Sequence, residues 1–197
     1  MTYHYALSVS NAVGTNISRD SMFTVSGFGT AAVGLPNVLG GSAAWGDYDN
    51  DGRLDILLSG FGTNGPITQI WHNNGDGTFS DSNAGLTGIY DGSVAWGDYD
   101  NDGRLDILIS GNRGLDNFTG IWRNNGDGTF TFHTNANLTR MQGTSVAWGD
   151  YDNDGRLDAL ISGPISDGIR TLRSATEVWR NNGNGTFSKI QANLPAI

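Results

Sequence analysis

Three stretches of the chain read WGDYDNDGRLD, starting at Trp45, Trp96 and Trp148, and each crowds four aspartates into nine positions. Counted from the first aspartate, position 1 is Asp47, Asp98 or Asp150, and position 3 is Asp49, Asp100 or Asp152. Position 5 is Asp51, Asp102 or Asp154, and position 9 is Asp55, Asp106 or Asp158. A glycine at position 6 (Gly52 in the first copy) permits a sharp turn, and alternate carboxylates on a turning backbone converge on one point. Arg53, Arg104 and Arg156 at position 7 can offer the backbone carbonyl as a further oxygen. Carboxylates held this close repel unless a cation lies between them. An oxygen-only set in a flexible loop selects a hard ion, and calcium takes six to eight such ligands where magnesium demands a tight octahedron. Three calcium sites per chain are therefore expected. The spacing starts like an EF-hand, but position 12 is Leu58, Ile109 or Ile161 instead of glutamate, and the flanks are strand-like. The aspartate at position 9 must then close the site.

The charge balance points to the same loops. The chain of 197 residues has a net charge of −9, and the three loops carry all of it, because the acids and bases elsewhere cancel. Such a balance excludes a phosphate backbone as partner, which needs lysine and arginine on one face. No run of about 18 apolar residues is available to insert in a membrane, and the first ten residues lack the basic start and apolar stretch of an export signal. With no cysteine, any staple is something other than a disulfide.

The elements that must position the loops repeat with them. SAAWGDYDNDGRLDILLSG from Ser42 returns as SVAWGDYDNDGRLDILISG from Ser93 and SVAWGDYDNDGRLDALISG from Ser145. Each is followed by a second module, IWHNNGDGTFS from Ile70, IWRNNGDGTFT from Ile121 and VWRNNGNGTFS from Val178. A unit of about 50 residues is the size of a four-stranded propeller blade. In the first unit the strand-like runs are 42–48, 54–59, 68–73 and 78–82. The acidic loop lies between the first two, and an Asn-Gly-Asp-Gly hairpin turn lies between the last two. An antiparallel meander of this kind buries its faces only by stacking on its neighbours. The expected fold is thus an all-β propeller of four-stranded antiparallel blades over 42–92, 93–144 and 145–197. A connector and a degenerate partial blade fill 1–41, with strands at 3–10, 15–19 and 22–26. A closed ring of four, a homodimer completing an eight-bladed ring, and a piece of a longer propeller all fit this count. All six tryptophans fall at fixed positions in the units, as packing between sheets requires. The tyrosine at position 2 and the asparagine at position 4 point away from the ion by alternation.

These residues resemble the FG-GAP or VCBS repeats of integrin α-subunit propellers and their bacterial relatives, whose blades carry D-x-D-x-D-G-x-x-D calcium loops between the first two strands. The resemblance covers 34–194. The FG and GAP half of the signature is only hinted at, by Gly27-Phe28-Gly29 and Gly60-Phe61-Gly62, and integrin propellers have seven blades where this chain has about four at most. The resemblance implies structural calcium at the rim of the ring and a binding or adhesion module, extracellular or at the cell surface, with a protein or glycan ligand. A lectin is the second reading, with sugar held by Asn73-Asn74, Asn124-Asn125 and Asn181-Asn182, which turn formation explains as well. A polysaccharide-active enzyme is the third and weakest. His4, His72 and His133 share no repeat position, although His72 stands where Arg123 and Arg180 stand in the sister units. The single glutamate, Glu177, would need an aspartate such as Asp116 or Asp167 as partner. No catalytic residues are assigned.

Overall fold

The computed structural model describes the backbone of residues 2–5, 8–11, 14–17, 21–24, 34–166 and 171–191, and the side chains of 34–165 and 173–191. These residues form strands and turns, and no helix occurs among them. The chain divides into two units, Met1–Ala32 and Val33–Ile197.

The first unit holds four short strands, β1 (Thr2–Tyr5), β2 (Ser8–Asn11), β3 (Gly14–Ile17) and β4 (Ser21–Thr24). β1 pairs with β4, and β2 pairs with β3, both antiparallel. The sequence reading of three strands at 3–10, 15–19 and 22–26 is corrected here. The run 3–10 is two strands with different partners, and alternation marks which face a residue takes without marking where a strand changes partner. Gly27-Phe28-Gly29, the chain end Asn193–Ile197 and the side chain of His4 lie outside the described residues.

The second unit holds three four-stranded antiparallel sheets. The first blade is β5 (Leu39–Gly46), β6 (Asp55–Gly62), β7 (Gly65–Asn73) and β8 (Phe79–Asp81). The second is β9 (Tyr90–Gly97), β10 (Asp106–Asn112), β11 (Asn117–Asn124) and β12 (Phe130–Phe132). The third is β13 (Ser145–Gly149), β14 (Asp158–Ser166), β15 (Thr171–Asn181) and β16 (Phe187–Lys189). In each blade the strands pair in sequence order, so the expected meander is present. The second strand is the most buried because a neighbouring strand covers each edge and a neighbouring blade covers a face. Leu57, Ile107, Leu108 and Ile109 are completely buried.

The last hairpin of each blade closes on its own side chains. Asn74 N–H donates to Thr78 O at 3.1 Å, and Asp76 Oδ1 accepts from the Thr78 N–H at 2.9 Å. Gly75 and Gly77 between them have φ of 78° and 89°, which a side chain would strain.

Successive blades meet through aromatic side chains. Tyr48, at position 2 of the first loop, stacks on Trp96 of the second blade at 6.3 Å and 9°, and Tyr99 stacks on Trp148 of the third at 6.1 Å and 7°. Phe130 and Phe187 close these clusters. Gly46 and Gly97 make room for the incoming indole, since a Cβ at either would lie 2.6 Å from Trp96 or 2.4 Å from Trp148. Trp96 and Trp148 are thus inter-blade packing, and so are Tyr48 and Tyr99, whereas Trp45 and Tyr151 stand exposed at the two ends of the blade array.

Candidate metal centre

Each acidic loop joins the first and second strands of a blade, and its shape follows from its residue types. Asn50, Asn101 and Asn153 at position 4 have φ of 58°, 58° and 57°, a left-handed conformation that asparagine tolerates better than most residues. The glycine at position 6 follows with φ of 85°, 84° and 84° in the three copies. The two left-handed residues coil the backbone around the carboxylate at position 1. Asp47 accepts the N–H groups of Asp51 at 3.0 Å and Gly52 at 2.9 Å. Asp98 and Asp150 do the same for Asp102 and Gly103, and for Asp154 and Gly155.

The ninth-position aspartates sit at the start of the second strand and are buried. Asp55 Oδ1 accepts the Asn73 N–H at 2.8 Å and Oδ2 accepts that of Tyr48 at 3.2 Å. Asp106 holds Asn124 and Tyr99 in the same way, and Asp158 holds Asn181 and Tyr151. Each carboxylate oxygen has a second lone pair and keeps capacity for a cation.

In the second loop, ligand oxygens of Asp98, Asp100 and Asp106 lie within 4.8 Å of one another, and in the third those of Asp150, Asp152 and Asp158 do so. In the first loop the groups are Asp47, Asp49 and Asp51, and Asp49, Asp55 and His72. Positions 1, 3 and 9 therefore come together in the second and third loops. Position 5 is drawn to guanidinium groups. Asp102 Oδ2 takes both Arg104 and Arg123, the latter at 2.7 Å, and Asp154 Oδ2 takes Arg156 and, at 3.2 Å, Arg180. Asp51 pairs with Arg53. The side chains of Arg53, Arg104 and Arg156 also donate from Nε to the carbonyls of Asn73, Asn124 and Asn181, tying loop to hairpin.

The electrostatics favour a cation. Burial pushes the Asp106 carboxyl up to about 7, and the charges of Asp100 and Asp102 push in the same direction against the N–H bonds of Asn124 and Tyr99. Asp55 is raised too, first by burial and also by Asp49. Burial, with Asp106 second, lifts the Tyr99 hydroxyl to about 12. A site in which negative charge is this costly, lined by oxygens of at least three carboxylates, suits a hard divalent ion. The first loop departs from its sisters, because His72 Nδ1 lies 3.1 Å from Asp49 Oδ2 and 3.3 Å from Asp55 Oδ1 where the others present arginine.

Several residues act in ways that the sequence did not disclose. Asn50 Nδ2 donates to Gly103 O at 3.1 Å, and Asn101 Nδ2 to Gly155 O at 2.8 Å, so each loop grips the next. Asn124 Nδ2 reaches Tyr48 O at 2.8 Å, and Asn181 Nδ2 reaches Tyr99 O at 2.7 Å. His133 bridges blades, with Nδ1 3.2 Å from the Tyr99 hydroxyl and Nε2 2.6 Å from Gly185 O. The only sequence signal for these roles was identity of the asparagines between units. Of the enzyme candidates, Glu177 is buried against Lys189 Nζ at 2.5 Å and the Trp179 N–H at 3.1 Å. Asp116 is paired with Arg113 at 2.5 and 2.6 Å, and Asp167 lies outside the described residues. Between the second and third blades, beside the loops, is a cleft of about 310 Å³ lined by Tyr99, Asp100, Arg123, His133 and Arg156.

Residues 47–109 and 110–161 each match the sequence model of a family described as FG-GAP-like repeat, together more than half of the chain. No curated protein matches it.

Proposed function

Starting from a chain that belongs to the FG-GAP-like repeat family, we propose that it is a calcium-stabilised propeller module that binds a protein or glycan ligand outside the cell. One observation carries the reading: in every acidic loop, oxygens of three carboxylates converge within 4.8 Å, or of two with His72 in the second grouping of the first loop. Calcium would be held by Asp47, Asp49, Asp51 and Asp55, by Asp98, Asp100, Asp102 and Asp106, and by Asp150, Asp152, Asp154 and Asp158. The backbone carbonyls of Arg53, Arg104 and Arg156 would complete the three sets. The ion supplies positive charge that offsets carboxylate repulsion and fixes the hairpin. The protein's part is to hold positions 1 and 9 by backbone N–H groups and to hold one loop on the next through Asn50 and Asn101. Extracellular calcium modules bind at roughly 0.1–1 mM, which suits a location outside the cell. The engagement of Glu177 and Asp116 in ion pairs supports a binding role over a catalytic one.

Thermal unfolding in millimolar calcium and in chelator tests this reading. Free ion a hundredfold above Kd adds about 2.7 kcal/mol per site. Titration calorimetry should count three sites. An unchanged melting temperature after complete chelation would overturn the structural role. The inter-blade cleft supports the lectin reading as second choice, because the polar residues Asp100, Asn101, Arg123, His133 and Asn181 line it. A glycan array without a hit above background removes that alternative.

A further inference from the structure

The two seams within the chain are copies of one interface, which makes the two ends of the blade array comparable with its interior. On the leading side of a blade the seam uses a tryptophan and the leucine at position 8 of the loop. Trp96 and Leu105 pack over Gly46, and Trp148 packs over Gly97. On the trailing side it uses a glycine, the position-2 tyrosine and a leucine of the second strand.

At the third blade this trailing side has no partner among the described residues. A Cβ on Gly149 would meet nothing within 4 Å, whereas Gly46 and Gly97 are in contact with indole. Tyr151 is 48% exposed, against 7% and 3% for Tyr48 and Tyr99. Leu160 is 39% exposed, against 0% for Leu57 and Leu108. These residues line an apolar cleft of about 200 Å³ together with Ala147, Ala159 and Val178. At the other end the leading side has no partner among the described residues: Trp45 is 62% exposed and Leu54 is 55% exposed, although Phe79 of the same blade supports the indole at 6.2 Å. The polar parts of the seam are duplicated as well. Asn153 shares the left-handed geometry of Asn50 and Asn101, whose amides hold the Gly103 and Gly155 carbonyls, and Gly52 offers the equivalent carbonyl.

We propose that the first blade of one copy of this chain seats on the third blade of a second copy. Trp45 enters the cleft over Gly149 and stacks on Tyr151, Leu54 follows it, and the Asn153 amide takes the Gly52 carbonyl. Each copy carries one knob and one socket, so the contact is heterologous, and two copies joined at both ends leave neither exposed. The occupant is a second copy because the seam is already made twice between sequence-identical elements in this chain.

Solution mass by light scattering in millimolar calcium, across a range of concentrations, tests the proposal. The expected result is a single species of twice the 20.9 kDa chain. Gly149→Leu fills the socket from a position where an added Cβ meets nothing within 4 Å, and Trp45→Ala removes an exposed knob. Both should give folded monomers, checked by circular dichroism. An equimolar mixture of the two variants retains one intact seam and should regain dimer, which a symmetric contact through either residue alone would not do. A wild-type chain that stays monomeric overturns the proposal and leaves the ends bare or covered by the chain's own residues. Dimers indifferent to both substitutions, or a mass that climbs with concentration, overturn it too. Failure here leaves the calcium reading untouched, since that is read from the melting temperature in chelator.

Discussion

The position-2 tyrosines offer an experiment with its control built into the chain. Tyr99 is buried, stacks on Trp148, meets Phe187 at 6.0 Å and hydrogen-bonds His133 at 3.2 Å, whereas Tyr151, in the same sequence context, is half exposed. Truncating a buried aromatic costs about 3–5 kcal/mol, so Tyr99→Ala should cost about 4 kcal/mol. Tyr99→Phe keeps the stack and loses one hydrogen bond, for about 1 kcal/mol. Tyr151→Ala, in a single chain, should stay within about 0.5–1 kcal/mol of wild type. With a urea slope of about 2–3 kcal/mol/M, the first substitution lowers the unfolding midpoint by roughly 1.5 M. The assay is tryptophan fluorescence in urea on the Trp45→Ala background, which keeps copies apart, with calcium held constant. Equal losses for Tyr99→Ala and Tyr151→Ala would refute the reasoning, because they would trace the effect to the loop itself and not to the neighbouring blade.

Two further substitutions probe other parts of the molecule by the same urea method. Asn124→Ala removes the buried donor to Tyr48 O and should cost about 2 kcal/mol; Asn73→Ala, whose amide nitrogen donates only within its own blade, to Leu54 O at 3.1 Å, should cost about half of that. Glu177 is buried, which raises its carboxyl, but Lys189, Thr139 and Trp179 outweigh this and hold it below the usual carboxylate range. Its contribution is therefore present above the ordinary glutamate pKa and lost as pH falls through the folded value. Lys189→Met leaves the carboxylate uncompensated and should cost about 1–3 kcal/mol at pH 7, given the partial exposure of the lysine. That deficit should shrink toward pH 4 as the glutamate takes a proton.

The blades were legible because their sequence repeats and their strands alternate. The runs 54–59 and 68–73 appear as Asp55–Gly62 and Gly65–Asn73, and the Asn-Gly-Asp-Gly turn falls between β7 and β8. The acidic loops were legible for a similar reason, since their chemistry is local. Packing of tryptophans between blades was legible, but what escaped was the polar bonding of one blade to another. Tyr48 and Asn124 are 76 residues apart and Tyr99 and Asn181 are 82 apart, and such pairings leave no periodic trace. The asparagine at position 4 was unexplained in the sequence because its two tasks, a left-handed backbone and an amide for the next loop, belong to the folded array. The first 32 residues were misread because short strands with nested pairing alternate just as a meander does.

The sameness of the seams has a consequence for how such a chain changes its length. Trp96 meets Gly46 and Tyr48, and Trp148 meets Gly97 and Tyr99, so the loop-side core of one seam is the same as that of the other, and contacts such as His133 to Gly185 O or Phe61 to Tyr90 are what tell them apart. Insertion or deletion of one whole unit would restore the loop-side core of every surviving junction, the indole over glycine and tyrosine, without a compensating substitution there. Most folds must re-solve their cores when a segment is gained or lost; here, within the blade array, the unit of inheritance and the unit of packing coincide.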